Sequence, residues 1–98
     1  MDCRKWIKRK VEKMYPNSIR VILVGSRAKG EHRPQSDWDV VVVIPNAWRP
    51  KPGVRWPVIA EKLVAPDGNE VEVVESTPED LDHPDRFMTD LRTWGVEL

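Results

Sequence analysis

Apolar side chains recur along this 98-residue chain with two spacings, one typical of helices and one of strands. A stripe at intervals of three or four residues opens the chain and consists of Cys3, Ile7, Val11 and Met14. This spacing predicts an amphipathic helix over Cys3–Tyr15, with Asp2 as its N-cap. Runs rich in β-branched residues predict buried or half-buried strands over Ile19–Val24, Trp38–Ile44 and Glu70–Glu75.

The segments between these runs are polar or irregular. Residues 27–36 carry Gly30 and Pro34 and predict a loop or a single helical turn. Pro45–Pro57 contains four prolines and two tryptophans, which indicates an irregular loop. Val58–Val64 follows this loop and is interpreted as a short helix.

The last third of the chain combines a turn, a helical region and a final strand. Residues 67–69 read Asp-Gly-Asn, which is a turn signal ahead of the third strand. A helical region is then predicted in two pieces, capped by Ser76 or Thr77 and resuming over Asp85–Trp94 after a proline. Val96–Leu98 is expected to form a terminal strand.

Charge and length narrow the class of protein only slightly. Basic and acidic side chains number 16 each, so the net charge favours no class of partner. Their distribution is uneven, because residues 1–33 hold ten basic and three acidic side chains and residues 67–98 hold two basic and ten acidic ones. The length fits a single domain over residues 1–98. With Cys3 as the single cysteine and no long apolar run, a cytoplasmic protein without a membrane partner is expected.

One run combines a glycine turn with paired carboxylates. Gly25 and Ser26 directly follow a predicted strand, and Asp37 and Asp39 stand at the start of the next one. Alternate residues of a strand share a face, so these aspartates are expected on one face, roughly 7 Å apart at the backbone. Glycine allows close approach of the backbone to a phosphate, and carboxylates are preferred ligands of Mg²⁺. The run therefore predicts chemistry on a metal-bound nucleotide.

Further polar residues extend this candidate site. Transfer at an α-phosphate uses two magnesium ions clamped by a cluster of carboxylates. Glu72, inside the third predicted strand, is the candidate third acid, and with Asp37 and Asp39 it forms the predicted catalytic and metal-binding set. The predicted nucleotide-binding residues are Gly25, Ser26, Arg27, Lys29 and Ser36. The two cations among them are expected to offset phosphate charge.

These residues resemble a known family. Gly25-Ser26, ten intervening residues and then Asp37-x-Asp39 match the signature of the polymerase β-like nucleotidyltransferases, in particular of the minimal nucleotidyltransferases. The resemblance covers essentially the whole chain and implies an α/β (α+β) fold, with a small mixed sheet of three to four strands and helices mainly on one face. It also implies two Mg²⁺ ions and ATP or another nucleoside triphosphate as donor. Glu72 departs from the family, which commonly has an aspartate there.

The resemblance also suggests an acceptor. Minimal nucleotidyltransferases resemble the modifying half of toxin–antitoxin pairs, which implies transfer of AMP from ATP to a tyrosine of a HEPN-type helical partner. The residues themselves leave alternatives open. The acceptor hydroxyl could belong to an RNA or a small molecule, or the chain could be a non-catalytic antitoxin that only binds its partner. A further alternative is an RNA-binding module that uses the basic face of the first helix.

Aromatic and histidine side chains add little to this prediction. Trp38 alternates away from the aspartates and is expected in the core. Trp48 and Trp56, in the proline-rich loop, are candidates to stack on a base or to anchor a protein partner, and the protein partner is the favoured interpretation. His32 and His83 lie in polar stretches with no matching ligand set, so metal binding by them is not expected.

Overall fold

The structure, a computed structural model, describes residues 2–45, 58–82 and 86–98. The helices in these residues are α1 (Cys3–Met14), α2 (Ser26–Lys29), α3 (Pro78–Leu81) and α4 (Arg86–Trp94). The strands are β1 (Arg20–Val24), β2 (Trp38–Val43), β3 (Val58–Val64), β4 (Glu70–Ser76) and β5 (Val96–Glu97). None of the helices in these ranges has the length and apolar character needed to cross a lipid bilayer.

The described strands form one mixed sheet in the order β3-β4-β2-β1-β5. β2 and β4 are parallel, and the other neighbouring strands pair antiparallel. The mixed α and β architecture confirms the expected fold class. The sheet has five strands instead of three to four, because β3 and the short C-terminal β5 both pair at its edges.

The interpretation of Val58–Val64 as a short helix is wrong, since this segment is β3. It pairs antiparallel with β4, with a register irregularity between Ile59 and Glu61. The turn at residues 67–69 joins the two strands, and Gly68 has a φ of +86° that glycine adopts without strain. Pairing with β4 therefore outweighs the weak local preference of a seven-residue segment for a helix.

Helices cover both faces of the sheet, whereas the resemblance implied helices mainly on one face. On one face Ile7 and Val11 of α1 belong to a buried cluster with alternate residues of β1, β2 and β4. On the other face Met88 and Leu91 of α4 pack with the intervening strand residues. The reason is that β2 is apolar on both faces, so each face requires a cover. Its buried valines are Val40, Val41, Val42 and Val43.

The cap at Asp2 and the core positions Ile7, Val11 and Trp38 are confirmed, whereas Met14, the last residue of the apolar stripe, is 37% exposed because it lies beyond the part of α1 that packs on the sheet. Asp2 caps α1, and its carboxylate accepts the N–H groups of Arg4 at 3.0 Å and Lys5 at 3.4 Å. Thr77, and not Ser76, caps α3. Trp38 is 7% exposed and belongs to the α1-side core. Predictions that lie outside the described residues are those for the loop after Pro45, for Trp48 and Trp56, for the break near Pro84 and for His83.

Candidate active site

The candidate site lies at the end of the sheet where β1 ends and β2 and β4 begin. Antiparallel pairing sets Val24, the last residue of β1, opposite Asp39. Parallel pairing sets Asp39 opposite Glu72 on β4. The sheet therefore brings the turn at Gly25 next to one predicted aspartate and to the predicted third acid, which are far apart in sequence.

Gly25 is required at this place for two reasons. Its φ of +74° and ψ of −157° lie in a region that is essentially restricted to glycine. A Cβ at this position would also stand 2.6 Å from Oδ2 of Asp39, which is closer than real contacts allow. The carbonyl of Gly25 accepts the N–H groups of Ala28 at 3.1 Å and Lys29 at 3.2 Å, so the chain turns directly into α2. The backbone of the turn and the Asp39 carboxylate are thus in immediate contact.

Asp39 is the most strongly perturbed carboxyl group of the site. Burial is the main cause that raises its pKa from 3.8 to about 6, followed by the charges of Glu72 and Asp37 and a hydrogen bond with Glu72. Asp37 itself is exposed, just before β2 begins. The three predicted acids therefore interact electrostatically. A half-buried cluster of like charges is costly unless a proton or a cation neutralises it.

The donor set fits a divalent cation that arrives with a nucleotide. Across residues 2–45, 58–82 and 86–98, no group of three or more His, Cys, Asp or Glu side chains is arranged to hold a metal ion. Mg²⁺, however, is commonly bound through one or two carboxylates, with waters and substrate phosphates completing its octahedron. Asp39 and Glu72 provide such a pair, and their mutual repulsion is the interaction that a cation would relieve. The residues present therefore suit Mg²⁺ bound together with a triphosphate.

The side chain of Arg27 is buried and makes protein contacts instead of facing the open end of the site. It is 7% exposed, and its guanidinium lies 3.9 Å from the centre of the Trp38 ring. Its donors reach the carbonyl oxygens of Ser36 and Pro34, and Asp67 lies 3.7 Å from Nη2. These contacts occupy the group that the sequence suggested for phosphate binding.

Two other predicted nucleotide-binding residues also have protein partners. Lys29 forms an ion pair with Asp90 of α4, with 3.7 Å between Nζ and Oδ2. The Ser36 hydroxyl accepts the N–H of Arg33 at 2.8 Å, which closes the turn before Asp37. Ser26 begins α2 directly after Gly25 and is partly exposed beside the acids. The turn residues thus lie next to the acids, while the side chains of Lys29 and Ser36 interact with other groups of the protein.

Asp67 and Asn69 border the site and were not predicted from the sequence as part of it. Burial works against the charged form of Asp67, but hydrogen bonds from Asn69 and the Trp38 indole and the charge of Arg27 together lower its pKa. The side-chain amide of Asn69 donates to the carbonyl of Pro34 at 2.6 Å. The Asp-Gly-Asn sequence indicates a turn, yet no local signal indicates which loop that turn contacts.

Comparison with known proteins agrees with this geometry. The family model for the nucleotidyltransferase domain matches residues 4–87. No curated protein matches the chain. The matched region includes the glycine turn, both aspartates and Glu72. Proteins of this family generally use a divalent metal, in agreement with the chemistry of the acidic cluster.

Proposed function

This chain belongs to the nucleotidyltransferase domain family, and we propose that it is a magnesium-dependent enzyme that transfers AMP from ATP to a hydroxyl group. The proposed acceptor is a tyrosine of a HEPN-type helical partner, and resemblance of the Gly25–Asp39 run to minimal nucleotidyltransferases supports it. The observation that carries the proposal is the juxtaposition of Gly25, Asp39 and Glu72 at one end of the sheet.

Each residue has a proposed role that follows from its position. Asp37, Asp39 and Glu72 would hold two magnesium ions. The pKa of Asp39 is raised mainly by burial and further by the charges of Glu72 and Asp37, and a bound cation would offset both effects. Gly25 and Ser26 contact the triphosphate, since the turn has no Cβ at 25 and presents backbone N–H groups and a hydroxyl. When bound, magnesium supplies positive charge to the phosphate oxygens and lowers the pKa of the attacking hydroxyl.

The proposed reaction is an in-line displacement at the α-phosphorus of ATP. The acceptor oxygen forms a bond to phosphorus, and the bond from phosphorus to the oxygen that bridges the α- and β-phosphates breaks. Pyrophosphate leaves with that electron pair, and the hydroxyl proton passes to a carboxylate of the site or to water. The chain contributes mainly position and electrostatics, which account for most of the catalysis in transfers of this kind.

A direct test is to incubate the chain with ATP, Mg²⁺ and the product of the neighbouring gene as the candidate partner, and to weigh both proteins by mass spectrometry. We expect the partner to gain the mass of one or more AMP groups on tyrosine. Asp37→Asn and Asp39→Asn should each lower the rate on the order of 100-fold or more, because each removes a charged ligand. Glu12→Gln, an exposed acid on α1, is the matched control and should retain the wild-type rate.

The alternatives give different results in the same assay. A stable complex without any gain of mass would contradict the proposed enzymatic activity and support an antitoxin that acts by binding alone. Labelling of RNA or of a small hydroxyl compound, and not of the partner, would support a transferase activity but contradict tyrosine as the acceptor. Chelation of Mg²⁺ should abolish labelling and be reversed by added metal, and labelling that survives chelation would contradict the proposed cofactor.

A further inference from the structure

We propose that Arg27 is a positioning residue that holds the loop carrying Asp37, and that it does not bind the triphosphate. The inference rests on the proposed function, because it assigns Asp37 to the metal-binding set. It replaces the sequence-based assignment of Arg27 to nucleotide binding. Its basis is the set of contacts that the guanidinium makes within the described part of the chain.

The first part of this set is a pair of hydrogen bonds from the guanidinium to one carbonyl oxygen. Nε and Nη2 of Arg27 both donate to the carbonyl oxygen of Ser36, at 3.1 and 2.7 Å. Nη2 also lies 3.4 Å from the carbonyl oxygen of Pro34. The Ser36 carbonyl belongs to the peptide bond that leads directly into Asp37. These two hydrogen bonds therefore fix the orientation of the backbone immediately before Asp37.

The second part holds the guanidinium itself in place. Trp38, the residue after Asp37, presents its ring to the guanidinium at 3.9 Å from ring centre to Cζ. Asp67 lies 3.7 Å from Nη2 and accepts the Trp38 indole N–H at 2.9 Å. Arg27 thus contacts the chain on both sides of Asp37, and Asp67 joins the two contacts.

A third connection reaches the strand that carries the remaining acid. Asn69 donates to the Pro34 carbonyl and to the Asp67 carboxylate, at 2.6 and 3.1 Å. It directly precedes β4, which contains Glu72. The loop before Asp37 and the start of β4 are therefore tied to each other through Arg27, Asp67 and Asn69. This network sets the spacing between the two sides of the acidic cluster.

Lysine cannot replace arginine in this arrangement. The planar guanidinium donates to one oxygen from two nitrogens while its face stacks on an indole, whereas an ammonium is a compact point charge. A phosphate ligand, by contrast, tolerates lysine well, because lysine is itself a common phosphate-binding residue. Arg27→Lys therefore separates the two roles.

The kinetic test compares Arg27→Lys, Asp67→Asn and the matched control Arg33→Lys, an exposed arginine of the same loop. We expect Arg27→Lys to lower kcat roughly 10- to 100-fold, to raise the half-saturating Mg²⁺ concentration, and to change KM for ATP less than about 3-fold. Asp67→Asn should act in the same direction more weakly, although its side chain belongs to the β3–β4 turn. Arg33→Lys should stay within about 2-fold of wild type.

A phosphate-binding role of Arg27 predicts that kcat is retained in Arg27→Lys and that any change appears in KM for ATP. If Arg27→Lys kept kcat and Asp67→Asn behaved as wild type, or if KM for ATP rose about 10-fold or more at unchanged kcat, the positioning role would be overturned. These outcomes require a working transferase. A readout that does not depend on activity is therefore needed.

Hydrogen exchange supplies that readout in the metal-free chain. We expect the amides of residues 35–38 to exchange roughly 10-fold faster in Arg27→Lys and in Asp67→Asn, with the amides of β1 unchanged. Unchanged exchange in residues 35–38 in both variants would overturn the proposal. If no acceptor is ever labelled but exchange rises as expected, the proposed function fails while the positioning of the loop stands. Should Arg27→Lys not fold, Asp67→Asn alone decides the outcome.

Discussion

Gly25 shows how one residue joins backbone conformation to chemistry. Its backbone conformation excludes other residues, and its missing side chain leaves room for the Asp39 carboxylate. Gly30 closes α2 with a similar φ of +76°, yet a Cβ there would meet nothing within 4 Å. The two glycines therefore separate the cost of a left-handed conformation at Gly30 from the combined cost, at Gly25, of a conformation restricted to glycine and of crowding the site.

Gly25→Ala should lower the free energy of unfolding by about 2 to 3 kcal/mol, because it combines a strained backbone with a close contact to Asp39. Gly30→Ala should cost only about 1 kcal/mol, the penalty of a left-handed alanine. Urea unfolding of both variants, followed by circular dichroism, measures the difference. Equal losses in the two variants would contradict the additional cost expected at Gly25 from its backbone conformation and from the contact with Asp39.

Asp39→Asn should stabilise the metal-free protein near neutral pH while it removes activity. The folded state raises the pKa of Asp39 from 3.8 to about 6, so between these values it keeps a proton that the unfolded chain has lost. Stability therefore falls as pH rises through this window and stays lower above it. Since the side chain is only partly buried, we expect Asn to recover about 1 to 2 kcal/mol at about pH 7.5.

The measurement is thermal unfolding of wild type and Asp39→Asn at about pH 4 and about pH 7.5, without metal. The melting temperatures should nearly coincide at the lower pH and separate at the higher one, with the variant more stable. A variant that is less stable at the higher pH would contradict the like-charge repulsion inferred for the cluster. Added Mg²⁺ and ATP should stabilise only the wild type appreciably.

Among the secondary-structure elements, α1 is the one whose limits are most clearly encoded locally. Asp2 is a strong N-cap residue, and its carboxylate binds two free N–H groups of the first turn. Three residues of the apolar stripe, Cys3, Ile7 and Val11, then lie on the face that packs on the sheet. The helix ends at Met14 with Tyr15 as its C-cap, one residue before the predicted end.

Asp2→Ala should destabilise the protein by about 1 kcal/mol, because it leaves helix N–H groups without an acceptor. For a domain of this size that loss corresponds to a fall in melting temperature of about 4 to 8 °C. Asp2→Asn retains a side-chain oxygen and should lose much less. If both variants melt at the wild-type temperature, the cap is not formed in solution.

β3 is the element that local sequence misassigned. Seven residues carry little information, and the middle of this segment contains residues that favour helices. Its conformation depends on β4, which pairs with β2 on one side and with β3 on the other. The predicted turn at residues 67–69 was the local signal for a hairpin, since it directly precedes the predicted strand.

The fold as a whole has a sheet covered by helices on two faces, and the two covers are unequal. The α1 side buries Ile7 completely, together with residues of three strands. The α4 side leaves a cavity of about 360 Å³ at the end of the sheet opposite the acids, lined in part by Ile22, Leu81 and Leu91. Most of the core free energy in the described residues is therefore expected on the α1 side.

Ile7→Ala should cost about 2 to 5 kcal/mol, because it opens a cavity where α1 meets the sheet. That is a large part of the total stability of a small domain, which is about 5 to 15 kcal/mol. Ile19→Ala removes the same atoms from a side chain that is 53% exposed and should change stability by less than about 0.5 kcal/mol. Chemical unfolding of the pair tests the assignment, and similar losses would contradict it.

Local sequence was sufficient for the elements and residue types whose signals are short in range. The cap at Asp2, the valine strands and the glycine turn follow from backbone preferences and side-chain periodicity within a few residues, whereas the second cap was narrowed only to Ser76 or Thr77. The spacing from Gly25 to Asp39 is likewise a property of the linear chain, and by itself it indicates the family. Such features depend on residues that are close together in the sequence, so they can be predicted without knowledge of the fold.

Tertiary structure decided the features that depend on distant partners. It made Val58–Val64 a strand, placed helices on both faces, and set Glu72 opposite Asp39. It also turned Arg27 toward Trp38 and Asp67 instead of the site opening. The physical reason is that pairing and burial free energies arise between segments far apart in sequence, and they exceed the local preferences of a short segment or of one flexible side chain.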